Sequence, residues 1–161
     1  MPHMVPLRIL GAVTALLFVA MVFHAARLEP SIPKIQLTFS EAAFRSILAQ
    51  WQPSEVARFK SHFAIDFPFL VSYGLFGYFL CEHTALTRGL PALARSLLSW
   101  ALPAAAVMDA GENLFHLYFV FAVSAMPVVL YFVSGVVATF KWLLIAAFVV
   151  SVGYARIRKA G

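Results

Sequence analysis

Charged residues are scarce in this chain. Asp, Glu, Lys and Arg make up 12% of its 161 residues, whereas hydrophobic residues make up 62% and the mean hydropathy is +0.87. A soluble domain carries roughly 25% charged residues, so the composition excludes an ordinary soluble protein and indicates an integral membrane protein. The length allows one small bundle without a separate soluble domain of typical size, and we therefore treat 1–161 as a single transmembrane domain.

Cysteine and the common catalytic signatures are lacking as well. The single cysteine, Cys81, excludes an intramolecular disulfide and is typical of a small buried apolar residue. The chain has no Gly-x-Ser-x-Gly, no phosphate-binding Gly-Lys-Ser/Thr and no Cys-x-x-Cys, and we predict no cofactor. The formal charge of +5 comes from scattered basic residues and a C-terminal group. This distribution is typical of membrane topology and lipid contact, so no nucleic-acid partner is predicted.

Long apolar runs predict an all-α fold, an integral membrane four-helix bundle. The spans are expected at about 7–27, 59–81, 97–122 and 128–155, each long enough at about 1.5 Å per residue to cross a hydrocarbon core of about 30 Å. The first run is longer than the apolar core of a signal peptide, and no clear Ala-x-Ala cleavage site follows it. A break before the last span is expected at 124–127, because Pro127 suits a first helical turn.

A short amphipathic helix is predicted between the first two spans, at about 41–51. Thr38 or Ser40 is expected to cap this helix, and Ser54 is expected to cap the next one. We expect it to lie in the membrane interface or to cover the end of the bundle, on the extracytoplasmic side. Its apolar positions recur with helical spacing: Phe44, Ile47, Leu48 and Trp51.

The basic residues predict the orientation of the chain. A C-terminal basic group and the arginines of the connection near 82–95 lie on the same side as the termini when four spans cross the membrane. Such a bias favours an N-in, C-in arrangement in a bacterial inner membrane.

The third predicted span carries a polar stripe in its middle. Asp109, Glu112, Asn113 and His116 stand at i, i+3, i+4 and i+7, so all four project from one face of a helix. An ionised carboxylate near the bilayer centre costs at least about 2.5 to 3.5 kcal/mol, and such residues usually face the bundle interior and have a function. The stripe is therefore the candidate site.

Neighbouring spans carry polar groups that can meet this stripe. His62, Asp66 and Tyr73 share a face of the second span, and Pro68 is expected to bend the helix beside Asp66. Lys141 falls near mid-depth of the fourth span, or close to an interface if that helix begins near residue 136. Gly74 and Gly77 are expected to permit close helix approach.

Three acids and one lysine in a low-dielectric pocket suggest acid/base chemistry. Lys141 favours the charged form of one carboxylate, whereas a second carboxylate close by can stay protonated. We expect Asp109 and Glu112 to handle protons with Lys141 as their charge partner, and Asp66 to be an acid at the entrance. Four residues are expected to bind or orient the substrate: Asn113, Tyr73, His116 and His62.

The predicted ligand is a membrane lipid or another apolar small molecule, such as an isoprenoid or sterol-like compound, which the protein binds or converts. Two alternatives stay open at this point. The polar groups can instead fix helix packing in a structural subunit with protein partners in a larger membrane complex, or line a proton or ion pathway. A zinc or iron site of His62, Asp66, Glu112 and His116 is conceivable, but its spacing differs from the Glu-x-x-His of di-iron bundles, and no metal is predicted.

Three motifs carry a resemblance to a family. Asp66-Phe67-Pro68 with Tyr73-Gly74, Asp109-Ala110-Gly111-Glu112-Asn113 and Thr139-Phe140-Lys141 resemble a set of small bacterial four-span membrane proteins of uncharacterised function. That likeness implies a shared polar site and no particular reaction. His62-x-x-x-Asp66 and Glu112 also resemble parts of the layout of the sterol isomerase and sigma-2 receptor family, although the first span here carries no acid. The second likeness implies an apolar ligand with a polar or cationic group.

Overall fold

The computed structural model describes residues 4–121 and 127–160, and every regular element in this part of the chain is an α-helix. The break expected at 124–127 falls, except for Pro127, outside the described residues, as does Ala122 at the end of the third predicted span. The helices are α1 (Met4–Ala25), α2 (Ile32–Gln36), α3 (Glu41–Leu48), α4 (Pro53–His83), α5 (Ala92–Phe121) and α6 (Val128–Ala160).

Three helices are long and apolar enough to cross a membrane. They are Pro6–Ala25 within α1, the whole of α4, and Val128–Arg158 within α6. Helix α5 has 30 residues, which is about 45 Å at about 1.5 Å per residue, but its polar stripe lowers its mean hydropathy. The predicted all-α class and membrane character are thus confirmed.

The long helices pack in a fixed order. Helix α5 lies between α4 and α6, and α1 packs against α4. Small residues bring α4 and α5 together: a Cβ added at Gly77 would lie 2.6–2.9 Å from Leu102, and one added at Gly74 would lie 3.1 Å from Ala106. The expected role of these glycines in close helix approach is confirmed.

Helix α4 begins earlier than the predicted span and with a different cap. Its first residue is Pro53, and the backbone N–H of Gln52 donates to Glu55 at 2.7 Å in a capping box. The prediction that Ser54 caps the helix is wrong, because proline is favoured at the first helical position and the helix begins at Pro53, two residues sooner than a Ser54 cap would allow. Pro68 lies inside α4, which continues to His83.

Helices α2 and α3 cover one end of the long helices. Ser40 caps α3 through a hydrogen bond from the backbone N–H of Ala43 at 3.2 Å, and α2 was not predicted at all. Their apolar side chains pack with residues from the end of α5 and the starts of α4 and α6. We call this group the end cluster: Leu28, Ile32, Ile35, Phe44, Ile47, Trp51, Phe59, Phe63, Phe119 and Tyr131. The long helices therefore alternate in direction.

Candidate functional site

The polar residues singled out in the sequence lie together in the helix core. Helix α5 contributes its stripe, helices α4 and α6 supply the facing groups, and each of these residues is at most 6% exposed. The face predicted for α5 is therefore the face that packs between its two neighbours. We call this group the polar cluster: Asp66, Tyr73, Asp109, Glu112, Asn113, His116 and Lys141.

Lys141 lies between two carboxylates of α5. Its Nζ is 3.0 Å from Oδ1 of Asp109 and 2.6 Å from Oε2 of Glu112, and 2% of its side chain is exposed. Asp109 and Glu112 are one turn apart, which allows one ammonium group to contact both. The lysine thus lies in the helix core and joins α6 to α5.

Two further carboxylate oxygens accept hydrogen bonds from neutral donors on a neighbouring helix. The hydroxyl of Tyr73 donates to Oδ2 of Asp109 at 3.1 Å, so α4 contacts the same carboxylate as Lys141. The amide of Asn113 donates to Oδ2 of Asp66 at 2.6 Å. Both contacts run between α4 and α5, and they orient the two aspartates independently of any ligand.

The two histidines differ in their surroundings. Nδ1 of His116 is 3.8 Å from Oε1 of Glu112, which is too long for a hydrogen bond, and its ring packs on Phe44 of α3 at 5.3 Å between centroids. Nδ1 of His62 donates to the backbone oxygen of Phe59, one turn earlier on α4. Both histidines lie where the polar cluster meets the end cluster, since the ring of His116 packs on Phe44 and the ring of His62 packs on Phe59.

The polar cluster has more acids than bases. Asp66, Asp109 and Glu112 face one lysine, so with all four ionised and the histidines neutral the formal charge would be −2, from three negative charges and one positive. Burying an uncompensated charge is expensive. The balance favours protons held among the carboxyl groups, and such a cluster can release a proton or take one up.

A cavity of about 470 Å³ lies against one side of the polar cluster. Most of its wall is apolar and comes from α1, α4 and α6, with contributions from α2 and α5. Phe18 and Val22 of α1 and Val149 of α6 line it while staying 52%, 48% and 62% exposed. Since these walls are themselves exposed, the cavity opens along the seam between α1 and α6.

The polar residues in the wall lie toward one end of this cavity. Gln36 of α2 and His62 mark the α2 end, where the last turns of α1 also contribute Val22 and Ala25. Asp66, Tyr73, Asp109 and Lys141 follow, and the other end is lined by Phe76, Leu102, Phe148 and Val149. The cavity therefore has a polar end near α2 and an apolar remainder.

Some of the predicted site residues line the cavity and others do not. Asp66, Tyr73, Asp109, Lys141 and His62 line the cavity, whereas Glu112, Asn113 and His116 do not. Glu112 and Asn113 instead contact residues of the wall from the side away from the cavity. Glu112 pairs with Lys141, and Asn113 donates to Asp66. Within residues 4–121 and 127–160, no group of three or more His, Cys, Asp or Glu side chains is placed to hold a metal ion.

Gln36 is a wall residue that the sequence analysis missed. The residue is buried, with 6% exposed, in α2, which packs against α3 and α6. A signal for α2 was present, since Ser31 followed two residues later by Pro33 is typical of a helix start. Five residues are too few for a periodic pattern to reveal which face is buried.

Known proteins supply no further guidance for this site. No protein-family model, no curated protein and no solved structure matches the chain. The function must therefore be inferred from the polar cluster and its cavity.

Proposed function

We propose that this chain is an integral membrane protein that binds a lipid, such as an isoprenoid or sterol-like molecule, in the cavity beside the polar cluster. The observation that carries the proposal is the cavity itself, with an apolar wall and with Asp66, Asp109 and Lys141 toward one end. A volume of about 470 Å³ falls within the range of roughly 300–1,000 Å³ typical of small-molecule sites. A ligand with an apolar chain and one small polar group is chemically complementary to that wall.

The route of entry supports a ligand that comes from the bilayer. The seam between α1 and α6 exposes apolar side chains on both sides, among them Phe18, Val22 and Trp142. In a membrane this seam faces lipid tails, so a lipid can enter sideways without crossing a layer of water.

Acid/base conversion of the bound lipid is the chemistry that fits the acids. A carboxylic acid on one side of an alkene can add a proton while a carboxylate on the other side removes one, which moves the double bond without a net change in protons. Asp66 and Asp109 line the cavity and are the candidates for these steps. Glu112 then acts as a positioning residue through Lys141, and Asn113 acts through Asp66.

The proposal includes a four-span topology in a bacterial inner membrane. Helix α5 lies between α4 and α6, and its buried stripe is paired inside the protein, which removes most of the cost of placing it in a bilayer. With α5 as a span, both termini lie in the cytoplasm, and α2 and α3 cover the extracytoplasmic end. The polar end of the cavity then lies in the outer half of the membrane.

The test uses two valines of α1 that are similarly exposed. Val22 lines the cavity and is 48% exposed, whereas Val19 does not line it and is 46% exposed. We expect mass spectrometry of an organic extract to find a stoichiometric lipid in the purified wild type and in Val19→Trp, but not in Val22→Trp, where the indole fills the cavity. Equal lipid in all three proteins, or none in any, would contradict a ligand in this cavity.

A structural subunit is the second candidate, and the ion pairs of Lys141 favour it. They join α5 and α6 at 3.0 and 2.6 Å, which is enough to fix the register of two helices without any chemistry. A protein partner that co-purifies in stoichiometric amount, with empty extracts from all three proteins, would favour this candidate. A proton or ion pathway gains no support, because the cavity beyond Lys141 is lined mostly by apolar side chains.

A further inference from the structure

Two buried hydrogen-bond acceptors lack a donor at the α2 end of the cavity. Oε1 of Gln36 and Nε2 of His62 are buried, and no group in the described part of the chain donates to either. The two residues are 6% and 1% exposed, and both belong to the cavity wall. A buried acceptor without a hydrogen bond costs about 1–3 kcal/mol, so two of them in one wall require an explanation.

The chemistry of these atoms specifies what is missing. Nδ1 of His62 donates to the backbone oxygen of Phe59, so Nε2 of the neutral ring is an acceptor. The amide oxygen of Gln36 is also an acceptor. Both atoms need a hydrogen from outside the chain, which an ether, an ester or a hydrocarbon cannot provide.

We infer that Gln36 and His62 form a head-group subsite for a lipid with a free hydroxyl group, held at the α2 end of the cavity with its apolar chain toward Phe76 and Phe148. This inference rests on the proposed lipid-binding function and names the group that the ligand presents. A hydroxyl supplies the hydrogen that these two acceptors need without adding a charge to the wall. The hydroxyl donates to one acceptor, and an accompanying water or a second hydroxyl serves the other.

The position of the subsite also orients the ligand. Asp66 is one turn from His62 on α4, and Asp109 and Lys141 lie further along the wall. A hydroxyl at Gln36 and His62 therefore leaves the first carbons of the chain beside the carboxylates. An alkene near the alcohol end would lie where the proposed proton transfers occur.

The test compares farnesol with its methyl ether, which has the same chain and no hydroxyl hydrogen. The ratio of the two Kd values is measured by titration calorimetry in one detergent for the wild type, the double variant Gln36→Leu/His62→Phe, and Gln50→Leu. Gln50 is exposed on the surface and donates to Ser46, so its variant is the control. One hydrogen bond corresponds to about a tenfold change in affinity.

The expected result is that the preference for the alcohol falls about tenfold in the double variant and is unchanged in Gln50→Leu. Binding of the ether should persist in the double variant, which shows that the cavity is still formed. An unchanged ratio in the double variant, with both lipids bound, would overturn the subsite and leave the lipid-binding function in place. Failure of the wild type to bind either lipid would overturn both.

Discussion

Lys141 carries its charge at a position where 2% of its side chain is exposed. Both of its counter-charges, Asp109 and Glu112, come from another helix. The desolvation of an ammonium group costs several kcal/mol and is offset only by close, well-oriented partners. Without the lysine, two carboxyl groups would remain buried one turn apart with no cation between them.

We expect Lys141→Met to lower the free energy of unfolding by about 3–5 kcal/mol, because removal of one partner of a buried ion pair leaves the other uncompensated. The double variant Lys141→Met/Glu112→Gln should recover part of this loss, since it has one fewer buried carboxylate without a counter-charge. Lys34→Met, at an exposed position of α2, is the matched control. Reversible denaturation in detergent, followed by helical circular dichroism, measures all three. A loss in Lys141→Met no larger than in Lys34→Met would contradict the pairing.

The sequence predicts the face of α5 but not the pairing of its residues. The i, i+3, i+4, i+7 spacing was enough to place Asp109 and Asn113 on one buried side. It could not show that Asn113 holds Asp66 while Asp109 contacts Tyr73 and Lys141. Those partners depend on the rotation and axial shift of α4 and α6 relative to α5, and helical periodicity carries no information on either.

At the scale of helices, the contact between α4 and α5 depends on two glycines. A Cβ at Gly77 would lie 2.6–2.9 Å from atoms of Leu102, so the helices approach closely only because that atom is missing. In contrast, nothing lies within 4 Å of a Cβ built at Gly111 of α5. Substitution by alanine is therefore expected to destabilise the protein at Gly77 and not at Gly111.

Gly77→Ala should lower the free energy of unfolding by about 1–3 kcal/mol through overpacking against Leu102. Gly111→Ala should leave it unchanged or raise it by up to about 1 kcal/mol, because alanine favours a helix and meets no neighbour. Thermal melting of both variants in the same detergent gives the comparison. Equal melting temperatures for the two proteins would show that α4 and α5 can move apart at no cost.

The amphipathic pattern of α3 identified its buried face but not what that face contacts. Phe44 and Ile47 are 1% and 5% exposed within the protein itself, and Phe44 packs on His116 and Tyr131. A helix in the membrane interface shows the same periodicity, since lipid and protein core both favour apolar side chains. Which of the two environments a helix occupies depends on the neighbouring helices, and the sequence pattern does not describe them. In this protein, α3 covers the end of the long helices that lies nearest His116.

For the whole molecule, the number of spans depends on α5. If only the three apolar helices crossed the membrane, the chain would cross once between the start of α5 and the end of α6, and these two positions would lie on opposite sides. The structure brings these regions together, since Gly89 of the connection before α5 and Arg158 near the end of α6 line one pocket. The mean hydropathy of α5 is lowered by its polar stripe, and that stripe is buried in the protein.

The four-span topology can be tested by thiol labelling in a Cys81→Ala background. We expect Gly89→Cys and Arg158→Cys to react with a membrane-impermeant maleimide in inside-out vesicles, and Lys34→Cys of α2 to react in right-side-out vesicles, because two crossings by α5 and α6 return the chain to its starting side. The wild type serves as the control, since Cys81 is 2% exposed and should not be labelled. Reaction of Gly89→Cys and Arg158→Cys from opposite sides would mean that α5 does not cross, and the polar end of the cavity could then no longer be assigned to the outer half of the membrane.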